Sequence, residues 1–190
     1  MKKIILIFLL VLVINLAIVL IVNNKFNKGK QLVAEINIER KEVGMEIKSN
    51  AFVSNAQIPA KYTCQGDNIN PNLIFSSVPE NAKSLVLIVD DPDAPSGTFT
   101  HWVLFNMDPK IVLIEENSVP KGAVQGSNDA GNSGYTGPCP PSGTHHYFFK
   151  LYALDDLLSL SQGAKKQNVE DAMQNHIIKK GELIGLYAKK

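Results

Sequence analysis

The chain has 190 residues, with 19 Lys and Arg against 18 Asp and Glu, and a formal net charge of +1. The charge is unevenly spread: residues 1–43 hold 7 basic and 3 acidic side chains (net +4), whereas residues 44–190 hold 12 lysines, no arginine and 15 acids (net −3). The larger part therefore lacks the basic stripe that phosphate neutralisation needs, which speaks against nucleic acid as a partner.

In chain order, the first feature is Ile4 to Val22, a run of 19 residues that is apolar except for Asn15. At about 1.5 Å per residue a helix of that length crosses a hydrocarbon core of about 30 Å. It is longer than the roughly 7–15 residues of a secretory h-region. Asn23, Asn24 and Lys25 follow instead of a small-residue cleavage site, and no cysteine follows that could carry a lipid. The run reads as an uncleaved transmembrane helix, a cleaved signal peptide being the alternative. Lys2 and Lys3 precede it and Lys25, Lys28 and Lys30 follow it, so flanking charge gives no clean orientation. The very short N-terminal tail favours a signal-anchor, giving a single-pass membrane protein with its domain outside the cytoplasm. Residues 23–43 are polar and charged and read as a linker. Residues 44–190 suit one domain with one core.

Within that domain the expected strands are Glu46–Phe52, Asn72–Phe75, Ser84–Asp90, His101–Met107, His146–Leu154 and Leu183–Ala188. Each is short, rich in Val, Ile, Phe, Leu and Tyr, and bounded by Gly, Pro, Asn and Asp. One helix is expected, Val169 to Lys180, with Asn168 as N-cap and Gly181 at its end. Its apolar face includes His176, read as a satisfied structural histidine. Gly122 to Gly143 is poor in apolar residues and reads as a long loop, of the kind that is usually functional or disordered. The pattern fits a β-sandwich with one or two peripheral helices.

Two segments carry chemistry. In the first, an apolar strand runs into Asp90, Asp91 and Asp93, then a turn with Pro92, Pro95 and Gly97, then a strand opening with His101 and Trp102. In the second, Pro138, Pro140 and Pro141 stiffen a loop that feeds His145, His146 and Tyr147. Strand alternation places Trp102 opposite His101 and turns His146 away from His145 and Tyr147. Asp90 and Asp93 read as turn residues. Tyr135 either packs under the long loop or lines a pocket.

Together these segments resemble the phosphatidylethanolamine-binding protein family, and most closely its bacterial and archaeal branch, the Raf kinase inhibitor-like proteins. The motifs are Asp91-Pro92-Asp93-Ala94-Pro95 with His101 and Asn106-Met107, and Gly134-Tyr135, Gly137-Pro138-Cys139-Pro140-Pro141, Gly143, His145 and Tyr147. Ile58 to Cys64 with Gly66 and Pro71, and Glu182 to Tyr187, support them. The resemblance spans about Met45 to Lys190. It implies a Greek-key β-sandwich, all-β in its dominant class, with a small anion pocket at one end lined by Asp91, His101, Gly137, Cys139, Pro141, His145 and Tyr147. It calls for no metal and no cofactor, and implies a phosphate-like anion or phospholipid headgroup as ligand. His101, His145 and Tyr147 could donate hydrogen bonds to such an anion, and Asp91 could orient a histidine or meet a headgroup ammonium. In an oxidising compartment Cys64 and Cys139, both in family motifs, could form a disulfide.

The family's eukaryotic members carry a further C-terminal helix over the pocket, which the sequence ending at Lys190 does not show; a more open pocket, or one closed by a second subunit in a homodimer, is then expected. Three rivals stand beside the binding reading: a module that inhibits a kinase or protease through its loops, a hydrolase using Asp91–His101 as orienter and base, and a metal site of Asp91, Asp93, His101 and His145. No Ser or Cys occupies a nucleophile elbow and no metal-ligand spacing is present, so an enzyme is not expected.

Overall fold

A computed structural model describes residues 20–33 and 44–189. The chain divides into two compact units, Met1–Val43 and Gly44–Lys190. In the first, residues 20–33 form helix α1. The apolar run Ile4–Val22 falls, except for its last three residues, outside the described residues, and no helix among the described residues is long and apolar enough to cross a membrane.

The second unit is sheet-dominated. Its elements are β1 (Glu46–Lys48), β2 (Ala56–Gln57), a 3-10 turn (Ala60–Tyr62), β3 (Leu73–Ser76), β4 (Ser84–Asp91), β5 (Phe99–Met107), β6 (Leu113–Ile114), β7 (Val124–Gln125), β8 (Thr144–Leu154), α2 (Lys166–Met173) and β9 (Ile177–Ala188). A three-stranded sheet, β1-β3-β6, faces a six-stranded sheet in the order β2-β9-β8-β4-β5-β7. The large sheet is mixed, because β2 runs parallel to β9 while its other pairs are antiparallel.

Both faces of the large sheet are covered. Leu85, Leu87, Val89, Trp102, Leu104, Tyr147 and Phe149 pack inward against Ile47, Leu73, Phe75 and Ile114 of the small sheet. On the outer face Val86, Ile88, Val103 and Phe105 pack against Val169 and Met173 of α2 and Leu158 before it. This explains why β4 has no polar alternation: all eight of its residues are buried. Asp90, at its outer face, is the exception in kind. It is fully buried and meets two cations, Lys150 Nζ at 2.8 Å and Lys166 Nζ at 2.6 Å. It is therefore not a turn residue, as its neighbours in sequence suggest, but the counter-charge that ties α2 to β8.

The helix expected over Val169–Lys180 is also displaced. It starts at Lys166, with Lys165 as a cap that makes no side-chain bond, and ends at Met173. Residues from Ile177 onward instead join β9 and pair with β8 as far as Leu154. The 11-residue β8 needs a partner along its whole length, and that demand overrides the helical periodicity. Gly181 is thus no helix cap: a Cβ there would collide with the carbonyl of Met45, the residue before β1. His176 falls in the turn between α2 and β9, half-exposed, with Nδ1 2.8 Å from Asp155 Oδ1.

Candidate functional site

The β4–β5 hairpin end, the start of β8 and one long loop meet at one end of the large sheet. β4 delivers Asp91, β5 delivers His101, and β8 delivers His145 and Tyr147. A register shift makes this convergence. Val89 pairs with Trp102, but Asp90 pairs with Thr100, so His101 is an extra residue opposite the Val89–Asp90 step. A bulge of this kind turns two successive side chains to the same face. His101 and Trp102 therefore both point inward, where strict alternation sets them on opposite faces. Trp102 belongs to the core, edge-on to Tyr135, and His101 lies edge-on to Tyr147 with ring centroids 5.2 Å apart.

The long loop closes the site. Asn128, buried, anchors it by donating from Nδ2 to the Gly134 carbonyl at 3.0 Å and to Thr136 Oγ1 at 2.9 Å. Thr136 N donates to the His101 carbonyl at 3.0 Å. The proline run beyond it lies against residues 62–68: Gly137 N donates to Asn68 Oδ1 at 2.7 Å, Cys64 N donates to the Pro138 carbonyl at 3.1 Å, and Cys64 and Cys139 form a disulfide. Gly137 permits that approach, since a Cβ there would sit 2.5 Å from the Tyr62 carbonyl oxygen. Tyr135 packs beneath the loop, its Oη donating to the Tyr62 carbonyl at 2.9 Å.

Between these parts lies a hollow of about 180 Å3, lined by Asp91, Pro95, Phe99, His101, Thr136, Gly137, Cys139, Pro141 and His145 among others. Asp91, His101 and His145 are 4, 4 and 7 % exposed, so polar groups are held in a nearly dry wall. His145 Nδ1 is 2.7 Å from Asp91 Oδ2, and Asp91 Oδ1 accepts from Asp93 N at 2.8 Å. The Asx-turn therefore belongs to Asp91. Asp93 instead accepts from His146 N and lies 2.7 Å from His146 Nδ1, a half-exposed pair outside the hollow.

His101 uses a different partner from the one expected for it: its Nδ1 lies 2.6 Å from the Thr136 carbonyl oxygen, and Asp91 goes to His145. Tyr147 is not in the lining. It is fully buried behind the rings, and its hydroxyl comes near Asp91 without reaching hydrogen-bond geometry. Burial, and then the charge of Asp91, push its phenol upward, so it stays protonated. Six of the seven expected lining residues thus share the hollow. Thr136 and Phe99 were not anticipated: Thr136 acts through a backbone carbonyl, which any residue type supplies.

Burial holds His101 below the ordinary imidazole value; the Thr136 carbonyl and the carboxylates of Asp91, Asp90 and Asp129 oppose this but do not outweigh it. An unfolded imidazole titrates near about 6.5. As pH falls below that, the unfolded chain binds a proton that the folded ring resists, so stability declines until the depressed folded value is passed. Urea unfolding at pH 7.5 and 5.5 should show this loss, and His101→Asn, whose amide can still donate to the Thr136 carbonyl, should show less of it.

An unequal two-sheet sandwich whose strand ends and disulfide-tethered proline loop enclose one small imidazole-lined hollow defines a specific class. The phosphatidylethanolamine-binding protein model matches residues 48–188, and the chain belongs to that family. A UPF0098 protein of Methanothermobacter thermautotrophicus is 53 % identical over 150 residues, covering 76 % of this chain and 99 % of that one. A UPF0098 protein of Pyrococcus horikoshii is 51 % identical over 158 residues, covering 78 % and 80 %. Among solved structures, a putative phosphatidylethanolamine-binding protein homologue from Chlamydia trachomatis superposes with a TM-score of 0.75 at 46 % identity, covering 77 % of this chain and 99 % of its own. Escherichia coli YbcL, described as a member of the mammalian family, gives 0.74 at 30 % identity, covering 78 % and 100 %.

Proposed function

We propose that this protein is a binding protein without turnover, which holds a phosphate-like anion or phospholipid headgroup in the hollow and is itself tethered to a membrane by the run Ile4–Val22. The observation that carries the reading is the shared placement of His101 and His145. Each commits Nδ1 to a partner inside the protein, which leaves Nε2 of each ring for a ligand. The Asp91 carboxylate beside them suits a ligand that also carries a cationic or donor group. The size of the hollow suits one tetrahedral anion better than an extended chain.

Turnover is disfavoured by the lining itself. No serine lines the hollow, its one cysteine is oxidised in the disulfide, and the hydroxyl of Thr136 accepts from Asn128 Nδ2 rather than pairing with a histidine, so no side-chain nucleophile stands paired with the Asp91–His145 couple. Titration of phosphate and phosphoethanolamine into the purified chain tests the reading. His101→Ala and His145→Ala should each remove binding while circular dichroism reports a retained sheet. Undiminished binding in both variants would overturn it. Liposome flotation that survives removal of residues 1–22 would overturn the tether.

A further inference from the structure

The hydrogen-bond pattern around His101 narrows the ligand class, on the reading just given. A carbonyl oxygen only accepts, so the contact with Thr136 fixes a hydrogen on Nδ1 of His101. In the neutral ring Nε2 then carries a lone pair. Thr136 N donates back to the His101 carbonyl, so ring and loop hold one another in this orientation. The titratable groups that act on His101 are Asp91 on the hollow and Asp90 on the opposite face of β4, His145 and Tyr147 from β8, and Asp129 from the long loop. Asp90 is engaged by Lys150 and Lys166, and Asp129 accepts from Thr100 N at 2.7 Å. His101 is buried, which works against a second proton on its ring.

A lone pair beside the Asp91 carboxylate is a poor match for a bare oxyanion, because two acceptors would face each other. It matches an oxyanion that carries its own proton. We infer that the hollow selects phosphomonoesters in their singly protonated form, the P–OH donating to His101 Nε2, over phosphodiesters such as the linkage within an intact lipid headgroup.

Ethyl phosphate and dimethyl phosphate test this. They are isomers and carry one negative charge each at pH 5.5, but only the monoester has a P–OH. Calorimetric titration of the full chain should find ethyl phosphate tighter at that pH by roughly 5- to 150-fold, the factor set by a buried acceptor left without a donor. The monoester gives up its proton near about pH 6. Its affinity should therefore fall about tenfold per pH unit above that point, while any diester binding changes less. His101→Gln, whose amide can present an N–H, should narrow the ratio; a merely steric exclusion of the diester would leave the ratio unchanged. Equal affinity for the two isomers, or parallel pH profiles, would overturn the inference and leave the anion reading standing. Binding of neither isomer, nor of phosphate, would overturn both. Should the variant fail to fold, the pH series on the unmodified chain decides alone.

Discussion

Replacing Cys64 and Cys139 together by serine, or reducing the bond between them, is expected to lower stability by about 4 kcal/mol and to weaken anion binding. The bond joins residues 75 apart in sequence. Cutting a loop of that length restores chain entropy to the unfolded state worth about 4 kcal/mol in the loop-closure model. The effect on binding follows from where the bond ends. Cys139 lines the hollow between Gly137 and Pro141, and Cys64 belongs to the segment that supports it from behind. Three other ties remain: Gly137 to Asn68, Cys64 to Pro138 and Tyr135 to Tyr62. The proline wall should loosen rather than detach, and affinity should drop without vanishing. Urea unfolding with and without reductant measures the first effect, and phosphate titration under the same conditions measures the second. A loss below about 1 kcal/mol would mean that the unfolded chain keeps these two segments close even without the bond.

Much of the site was legible because its parts sit at strand ends. Asp91, His101 and His145 each stand where an apolar run meets a proline-rich loop, and such junctions gather at one end of a sandwich. The pairing among them was not legible. Asp91 reaches His145, and His101 turns to a backbone carbonyl that leaves no trace in residue type. The bulge that swings His101 beside Trp102 is a property of two strands together, so alternation within one strand misplaces it. Tyr147 illustrates the opposite error: alternation puts it on the right face, yet depth in the sheet removes it from the wall. The helix was found but shifted, because its last turn was needed as strand. Asp90 is misread because acids on both sides of Pro92 look like a turn, whereas the first two of them still belong to the buried strand.

Asp90→Ala is the second change with a large expected effect, about 3 kcal/mol. Removing one partner of a buried ion pair typically costs about 3–5 kcal/mol, because the other charge is left in a poor solvent. The lower end applies here: the side chains of Lys150 and Lys166 keep 28 % and 19 % of their exposure and can turn toward water. The loss should fall on α2, since Lys166 opens that helix and Asp90 is its charged tie to the sheet. Its apolar tie, Val169 and Met173 against Val86, Ile88, Val103 and Phe105, remains. Asp90→Leu combined with Lys166→Met should recover much of the stability, because an apolar replacement removes the desolvated charge along with its partner. Urea unfolding of the three proteins checks this, and a cost below about 1 kcal/mol for Asp90→Ala would show that the lysines do not depend on it. Phosphate titration should separate Asp90 from Asp91. The two are adjacent in sequence but lie on opposite faces of β4, one under the helix and one on the hollow. Asp90→Ala should leave affinity nearly unchanged in the folded fraction. Asp91→Asn should alter it, because the charge that orients His145 is then gone.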